Sequence, residues 1–209
     1  MIFTKEQRVF LALTTVFISL LVVSNVIAVK TVSIGGLIGP AAVICYSLTF
    51  AVTDTISEIW GRKTTQFLVL LGLGAAVLSA LFIRWAIVMK GSPFWENQEQ
   101  YELILGSNLR IVIASLLAYI VSQTHDVWAF HFWKRLTNGK YLWLRNNLSS
   151  MVSQLLDTVI FIVVAFYGTG APMWTMIVGQ YLIKLGIAAL DTPLVYAMVG
   201  FIKKRVLKG

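Results

Sequence analysis

Residues 67–89 read FLVLLGLGAAVLSALFIRWAIVM, and this stretch decides the fold class. It is apolar except for Ser79 and Arg84. An α-helix that crosses the hydrocarbon core of a bilayer needs about 20 residues, because each residue adds about 1.5 Å along the helix axis. The stretch therefore predicts a membrane-spanning helix. Its small residues, among them Gly72 and Gly74, predict a face that a neighbouring helix can approach closely.

Five further stretches of similar length and polarity lie on either side, so the chain is predicted to cross the membrane six times. None of them alternates apolar and polar residues with a period of two, which argues against a transmembrane β-barrel. Lipid offers the backbone no hydrogen-bond partners, so each span is predicted to be a helix. Residues 1–209 are predicted to form one all-α integral membrane domain. The predicted spans are residues 8–29, 37–58, 66–89, 109–132, 147–169 and 174–202, with Pro40 at the opening of the second.

The composition agrees with a membrane protein. Hydrophobic residues make up 58% of the 209 residues and charged residues only 12%, whereas soluble domains average about 45–50% and about 25%. The excess of 17 Lys and Arg over 9 Asp and Glu is typical of cytoplasmic loops and does not predict nucleic-acid binding. The lipid bilayer is therefore the expected surrounding. Cys45 is the only cysteine, so no disulfide is expected.

The distribution of Lys and Arg predicts that both termini lie in the cytoplasm, because basic residues concentrate in cytoplasmic loops. With that orientation, only Lys30 and Lys90 fall in outer loops, and the longest outer loop instead carries Glu96, Glu99 and Glu102. The cytoplasmic set is Lys5, Arg8, Arg62, Lys63, Lys134, Arg135, Lys140, Arg145, Lys203, Lys204, Arg205 and Lys208.

Five acidic residues fall within the predicted spans or at their ends, where they require a polar environment. A charged side chain near the centre of a spanning helix costs about 2.5–3.5 kcal/mol on insertion scales. Most of these acids lie on stripes of polar residues spaced three and four apart, so each stripe shares one helix face. We therefore expect a common polar interior. The five residues are Asp54, Glu58, Asp126, Asp157 and Asp191.

The fourth and fifth predicted spans share a sequence phrase. Ser122-Gln123-x-x-Asp126-x-x-x-Phe130 matches the segment from Ser153 to Phe161 at each of these positions. Because the two spans run in opposite directions, the phrase is not a simple parallel repeat. It predicts that both helices offer similar groups to one site.

Taken in order, these residues resemble the queuosine precursor transporters, also called the vitamin-uptake-transporter-like family. The resemblance covers nearly the whole chain. It implies import of queuine or its 7-deazaguanine precursors, in the cyano or aminomethyl form, across the bacterial inner membrane. The residues that carry it are Ser24-Asn25, Lys30, Pro40, Asp54-x-x-x-Glu58-x-x-Gly61, Arg110, Ser115, the two Ser-Gln-x-x-Asp phrases, Arg145, Ser149, Thr158, Lys184 and Asp191-x-Pro193.

A deazaguanine suits the polar groups of these spans. A carboxylate can accept hydrogen bonds from its ring N–H and exocyclic NH₂ together, and amide side chains can address its other edges. We expect Asp157 to bind this edge and Asp126 to be paired or to act in gating, although the choice between them stays open. If protons drive import, Glu58 is the first candidate carrier. The candidate substrate-binding residues are Asn25, Phe50, Asp54, Glu58, Ser122, Gln123, Asp126, Ser153, Gln154, Asp157, Phe161, Lys184 and Asp191.

Other functions stay open at this point. Substrate-binding subunits of energy-coupling-factor vitamin importers also have six spans, and the fold is expected to be similar to theirs. They dock through an Ala-x-x-x-Ala pattern, whereas the first span here offers Ala12 and Ala28 with bulky residues between. A membrane-embedded enzyme or a purely structural subunit is a further alternative. No Gly-x-Ser-x-Gly or His/Cys metal spacing occurs, so we expect no catalytic residue, cofactor or metal. The oligomeric state is open, a homodimer included.

Overall fold

The computed structural model describes residues 3–28, 30–34, 37–106, 109–168, 170 and 172–205. Within these ranges the chain is helical apart from one hairpin and the connecting loops. The elements are α1 (Lys5–Ile27), β1 (Thr31–Ile34), β2 (Leu37–Pro40), α2 (Val43–Trp60), α3 (Arg62–Val88), α4 (Gln98–Leu105), α5 (Leu109–Leu136), α6 (Leu142–Phe166) and α7 (Met173–Arg205).

Each predicted span corresponds to one long helix, and four of these helices are confirmed as candidate membrane spans. Among the described residues, α1, α3, α6 and α7 are long and apolar enough to cross a bilayer. Helices α2 and α5 are not among the four. Each carries a buried acidic residue, Asp54 in α2 and Asp126 in α5.

The start of the second predicted span was wrong. Residues 37–40 form β2, which pairs antiparallel with β1 so that Thr31 lies opposite Pro40, and α2 begins only at Val43. The backbone N–H of Ala41 continues the hairpin by donating to the carbonyl of Lys30 at 2.7 Å. Pro40 is tolerated there because a two-stranded hairpin has free edges that need no further N–H donor. The all-helical prediction had omitted this hairpin.

Gly61 alone separates α2 from α3. Its φ of +82° lies in the left-handed region, where a side chain is strained, and glycine adopts that conformation without steric cost. The chain can therefore end one helix and begin the next within a single residue.

Helix α3 lies at the outside of the helix bundle. Side chains such as Phe67, Leu81 and Trp85 are more than half exposed, as suits a lipid-facing surface. On the opposite face, Gly72 packs against Phe17 of α1 and Tyr119 of α5 so closely that a Cβ atom at this position would collide with them. The prediction of a small-residue packing face is confirmed at Gly72.

Several charged side chains cluster at one end of the helix bundle. The indole N–H of Trp60 donates to Glu6 at 2.8 Å and thereby joins α2 to the start of α1. Glu58 in turn reaches Lys134 of α5 and Lys203 of α7, each at 2.8 Å. We call this region the charged end of the bundle, defined by Glu6, Glu58, Lys134, Arg145 and Lys203.

Candidate substrate site

The polar stripes of four helices meet in the interior of the bundle. Asp54 of α2, Asp126 of α5, Asp157 of α6 and Asp191 of α7 are each at most 6% exposed. Helices α5 and α6 pack along each other, and α7 packs on both α2 and α6. The expectation of a common polar interior is therefore confirmed for these four acids. Buried with them are Ser47, Thr49, Thr53, Ser122, Gln123, Ser149, Ser150, Ser153, Gln154, Thr158 and Lys184.

Both carboxylate oxygens of Asp157 contact polar side chains. The ammonium of Lys184 lies 2.5 Å from Oδ2. The hydroxyl of Tyr46 donates to Oδ1 at 2.7 Å, and that of Ser122 donates to the same oxygen at 3.3 Å. The Lys184 ammonium also lies 5.4 Å from the centre of the Tyr46 ring. The charge of Asp157 is thus balanced, and its acceptor capacity is largely occupied.

Asp54 and Asp126 lie nearer the charged end, and they are less well paired. Ser150 of α6 donates to Oδ2 of Asp54 at 3.3 Å. Asp126 lies beside Asp54 and faces the hydroxyls of α6, including Ser150 and Ser153. Nevertheless, Oδ1 of Asp54 and both oxygens of Asp126 are buried without a hydrogen-bond partner among the described residues. Three carboxylate oxygens therefore have free acceptor capacity in the interior.

Two buried glutamine side chains, Gln123 on α5 and Gln154 on α6, lie near these acids. Gln123 donates to the hydroxyl of Thr49 at 3.4 Å, but its carbonyl oxygen has no partner in the described part of the chain. Gln154 has no partner there at either its oxygen or its nitrogen, although the side chain is fully buried. It follows Ser150 by four residues and precedes Asp157 by three. Helical spacing therefore places it on the face that carries both acid contacts.

An aromatic pair and a histidine border this region. Phe50 is buried and packs edge-on against Tyr46, with ring centres 5.9 Å apart. The hydroxyl of Ser153 lies 2.9 Å from Nδ1 of His125. Phe50 thus supplies an apolar wall one helical turn from Asp54, while Ser153 already has a neighbouring partner.

Two other candidate residues lie at the margins. Asn25 is half-buried and accepts a hydrogen bond from Ser115 at 3.4 Å, which joins α1 to α5. Phe161 is half-buried and packs edge-on against Phe166 of its own helix. Their described contacts thus lie outside the group of acids and amides.

Glu58 lies in an ion cluster rather than among the free acceptors. Its carboxylate is 2.8 Å from the ammonium groups of both Lys134 and Lys203 and 3.2 Å from Nη1 of Arg145. Arg145 is itself buried and stacks over the ring of Phe130 at 5.3 Å. Three cations around one carboxylate favour its ionised form, so Glu58 is poorly suited to carry a proton.

Besides the cations around Glu58, two residues outside the candidate set donate hydrogen bonds to its acids: Tyr46 donates to Asp157 and Ser150 donates to Asp54. A signal for both was present in the sequence. Tyr46 precedes Asp54 by eight residues, which is about two helical turns, and Ser150 precedes Gln154 by four. Each therefore shares a face with a candidate residue. Within the described ranges, no three His, Cys, Asp or Glu side chains are grouped so that they could hold a metal ion.

Comparison with known proteins identifies the family. The sequence pattern of a family described as "Putative vitamin uptake transporter" matches residues 40–198, which is most of the chain. The chain belongs to this vitamin uptake transporter family. The matched range contains every candidate residue except Asn25. No solved structure matches the chain.

Curated relatives of this chain are named as queuosine precursor transporters. A protein of Bacillus subtilis (strain 168) named "Probable queuosine precursor transporter" is 34% identical over 84% of this chain and 78% of its own length. The "Queuosine precursor transporter" of Escherichia coli (strain K12) is 27% identical over 79% of this chain and 73% of its own length. A Haemophilus influenzae protein with the same name as the first is 27% identical, and the chain spans 61% of its length.

Proposed function

We propose that this chain is a membrane transporter that imports a queuosine precursor, either queuine or another 7-deazaguanine, across the bacterial inner membrane. Membership of the family and the names of three relatives support this substrate class. The transporter would use all six long helices as spans, with α2 mostly enclosed by the other helices and α5 presenting exposed apolar side chains such as Leu117 and Val121 to lipid. It would act without a catalytic residue, since its site offers recognition rather than bond chemistry.

The observation that carries the proposal is the set of buried, unpaired polar atoms between α2, α5 and α6. Unpaired buried polar atoms are rare because each costs about 1–3 kcal/mol. Both oxygens of Asp126 are free to accept from the ring N–H and the exocyclic NH₂ of a deazaguanine in a bidentate arrangement. The unpaired carbonyl oxygen of Gln123 can accept from the pyrrole N–H, and the unpaired amide of Gln154 can donate to the carbonyl edge. Phe50 supplies an apolar surface for the flat ring.

This arrangement favours Asp126 over Asp157 as the carboxylate that binds the base. Asp157 was the choice from sequence alone, but its two oxygens are occupied by Lys184, Tyr46 and Ser122. A ligand would have to displace these partners, whereas Asp126 faces the hydroxyls of α6 without a hydrogen bond of good geometry to either of its oxygens among the described residues. Asp157 and Lys184 would then form the polar wall of the site on the side away from the charged end.

The direct test is a binding and uptake measurement with the intact protein. Purified protein in lipid nanodiscs should bind 7-cyano- or 7-aminomethyl-7-deazaguanine, and guanosine, whose ribose enlarges the base, should compete poorly. Cells that lack every energy-coupling-factor module should still accumulate the base when they express this chain. Uptake that requires such a module would instead favour a substrate-binding subunit, and a chemically altered base would indicate an enzyme.

We also propose that both termini lie in the cytoplasm, as the Lys and Arg distribution predicts. The gathering of basic residues at the charged end supports this orientation. In a variant whose Cys45 is replaced by Ala, Glu96→Cys should react with a membrane-impermeant maleimide added to intact cells. Lys140→Cys should react only after the cells are opened. Labelling of Lys140→Cys in intact cells would contradict the orientation.

A further inference from the structure

The buried acids of the site differ in whether a cation balances them. Asp157 pairs with Lys184, and Glu58 pairs with Lys134, Arg145 and Lys203. In contrast, no ion pair joins Asp54, Asp126 or Asp191 to any described Lys, Arg or His side chain. Asp126 and Asp191 both lie near enough to Asp54 to interact with it electrostatically. The interior therefore holds three neighbouring acids without a matching cation among the described residues.

The amide of Gln154 is an independent sign that this region receives a ligand. The side chain is fully buried, and neither its oxygen nor its nitrogen has a hydrogen-bond partner in the described ranges. It lies one helical turn from Ser150, whose hydroxyl binds Asp54. A buried primary amide that makes no hydrogen bond is costly unless a bound molecule completes it. The acids and this amide therefore belong to one site.

Electrostatics decides what kind of ligand this site prefers. Carboxylates that lie together in a weakly polar interior repel each other, so one of them takes up a proton unless another positive charge joins them, and a cationic ligand can take the place of that proton. A neutral base supplies N–H donors for one carboxylate but no charge. A protonated primary amine supplies one positive charge and three donors.

We infer that the preferred substrate is a purine-like base whose substituent ends in a protonated primary amine, rather than a neutral base of the same shape. This inference rests on the proposed function and refines its substrate class. Asp126 accepts from the donor edge of the base, as proposed above. Asp54 and Asp191 then provide the negative charge that attracts the ammonium group. The 7-aminomethyl form of the deazaguanine fits this description, and the 7-cyano form is its neutral counterpart.

The test compares the affinities of these two bases for the same protein. Calorimetry on the nanodisc-embedded chain should give a dissociation constant that is roughly 10- to 100-fold lower for the aminomethyl base, because the added ammonium gains charge-assisted hydrogen bonds. In Asp54→Asn, this ratio should fall to within about threefold of unity, since one acceptor of the ammonium has lost its charge. The exposed Glu99→Gln in α4 removes an acid outside the site and should leave the ratio unchanged.

Each outcome bears on a different claim. Equal affinity for the two bases, or tighter binding of the cyano base, would overturn the inference while leaving the proposed function intact. A ratio that persists in Asp54→Asn but disappears in Asp191→Asn would support the inference and assign the ammonium to Asp191. A ratio that persists in both variants would overturn the inference. Failure to bind either base would overturn the proposed function, and the inference with it. Binding of the cyano base also reports that each variant is folded.

Discussion

Replacing Asp126 with Asn should lower the affinity for a 7-deazaguanine by about 30- to 1,000-fold. The substitution keeps the shape of the side chain but converts one acceptor oxygen into an NH₂ donor, which then meets a donor of the base. The lost hydrogen bond and the buried pair of facing donors together cost about 2–4 kcal/mol, and each 1.4 kcal/mol corresponds to a factor of about ten. Calorimetry with the nanodisc-embedded variant measures this loss directly.

Asp157→Asn is the matched control, because it changes the same atoms in the second Ser-Gln-x-x-Asp phrase. Its oxygens already bind Lys184, Tyr46 and Ser122. We therefore expect a smaller loss of affinity than in Asp126→Asn. The reverse order of the two losses, in protein that is correctly inserted and monodisperse, would return the base-binding role to Asp157.

The fold could be predicted well where it depends on a single helix and less well at its boundaries. A long apolar run such as 67–89 predicts α3 because helix length and hydropathy are local properties. The start of α2 could not be placed in this way. Residues 37–40 are as apolar as a helix end, but their strand pairing with residues 31–34 depends on a turn and on a partner strand. Helix α4, Gln98–Leu105, was missed because a short polar helix in a loop has no hydropathy signal.

The site could be predicted as a set of residues but not as a set of partners. Spacing along one helix placed Ser122 and Asp126 on a common face, as it did Ser153 and Asp157. It could not tell which of the two aspartates is paired, because that depends on how helices rotate and shift against each other. Asp157 obtains its cation from Lys184, 27 residues away, and its hydroxyl donor from Tyr46, 111 residues away. Such pairings arise only from tertiary packing.

Lys184→Met should destabilise the protein by about 3–5 kcal/mol, because it leaves the buried carboxylate of Asp157 without its counter-charge. Methionine has a similar length and would fill the same space between α6 and α7, so lost packing contributes little. Only the hydrogen bonds from Tyr46 and Ser122 would then stabilise Asp157. The free energy of unfolding is measured by SDS titration in mixed micelles, followed by far-ultraviolet circular dichroism.

The double variant Lys184→Met/Asp157→Asn tests whether the two side chains stabilise the protein through their contact with each other. A buried ion pair is costly to desolvate, so its replacement by two neutral side chains is often close to neutral in stability. Asn still accepts from Tyr46 through its carbonyl oxygen, and no buried charge is left unpaired. The double variant should therefore recover most of the stability lost in Lys184→Met, which gives a coupling energy of at least about 3 kcal/mol. If the double variant is as unstable as the sum of the two single variants, Lys184 does not act through Asp157. The role of Asp157 as an already neutralised residue would then have to be abandoned, together with the reason for choosing Asp126.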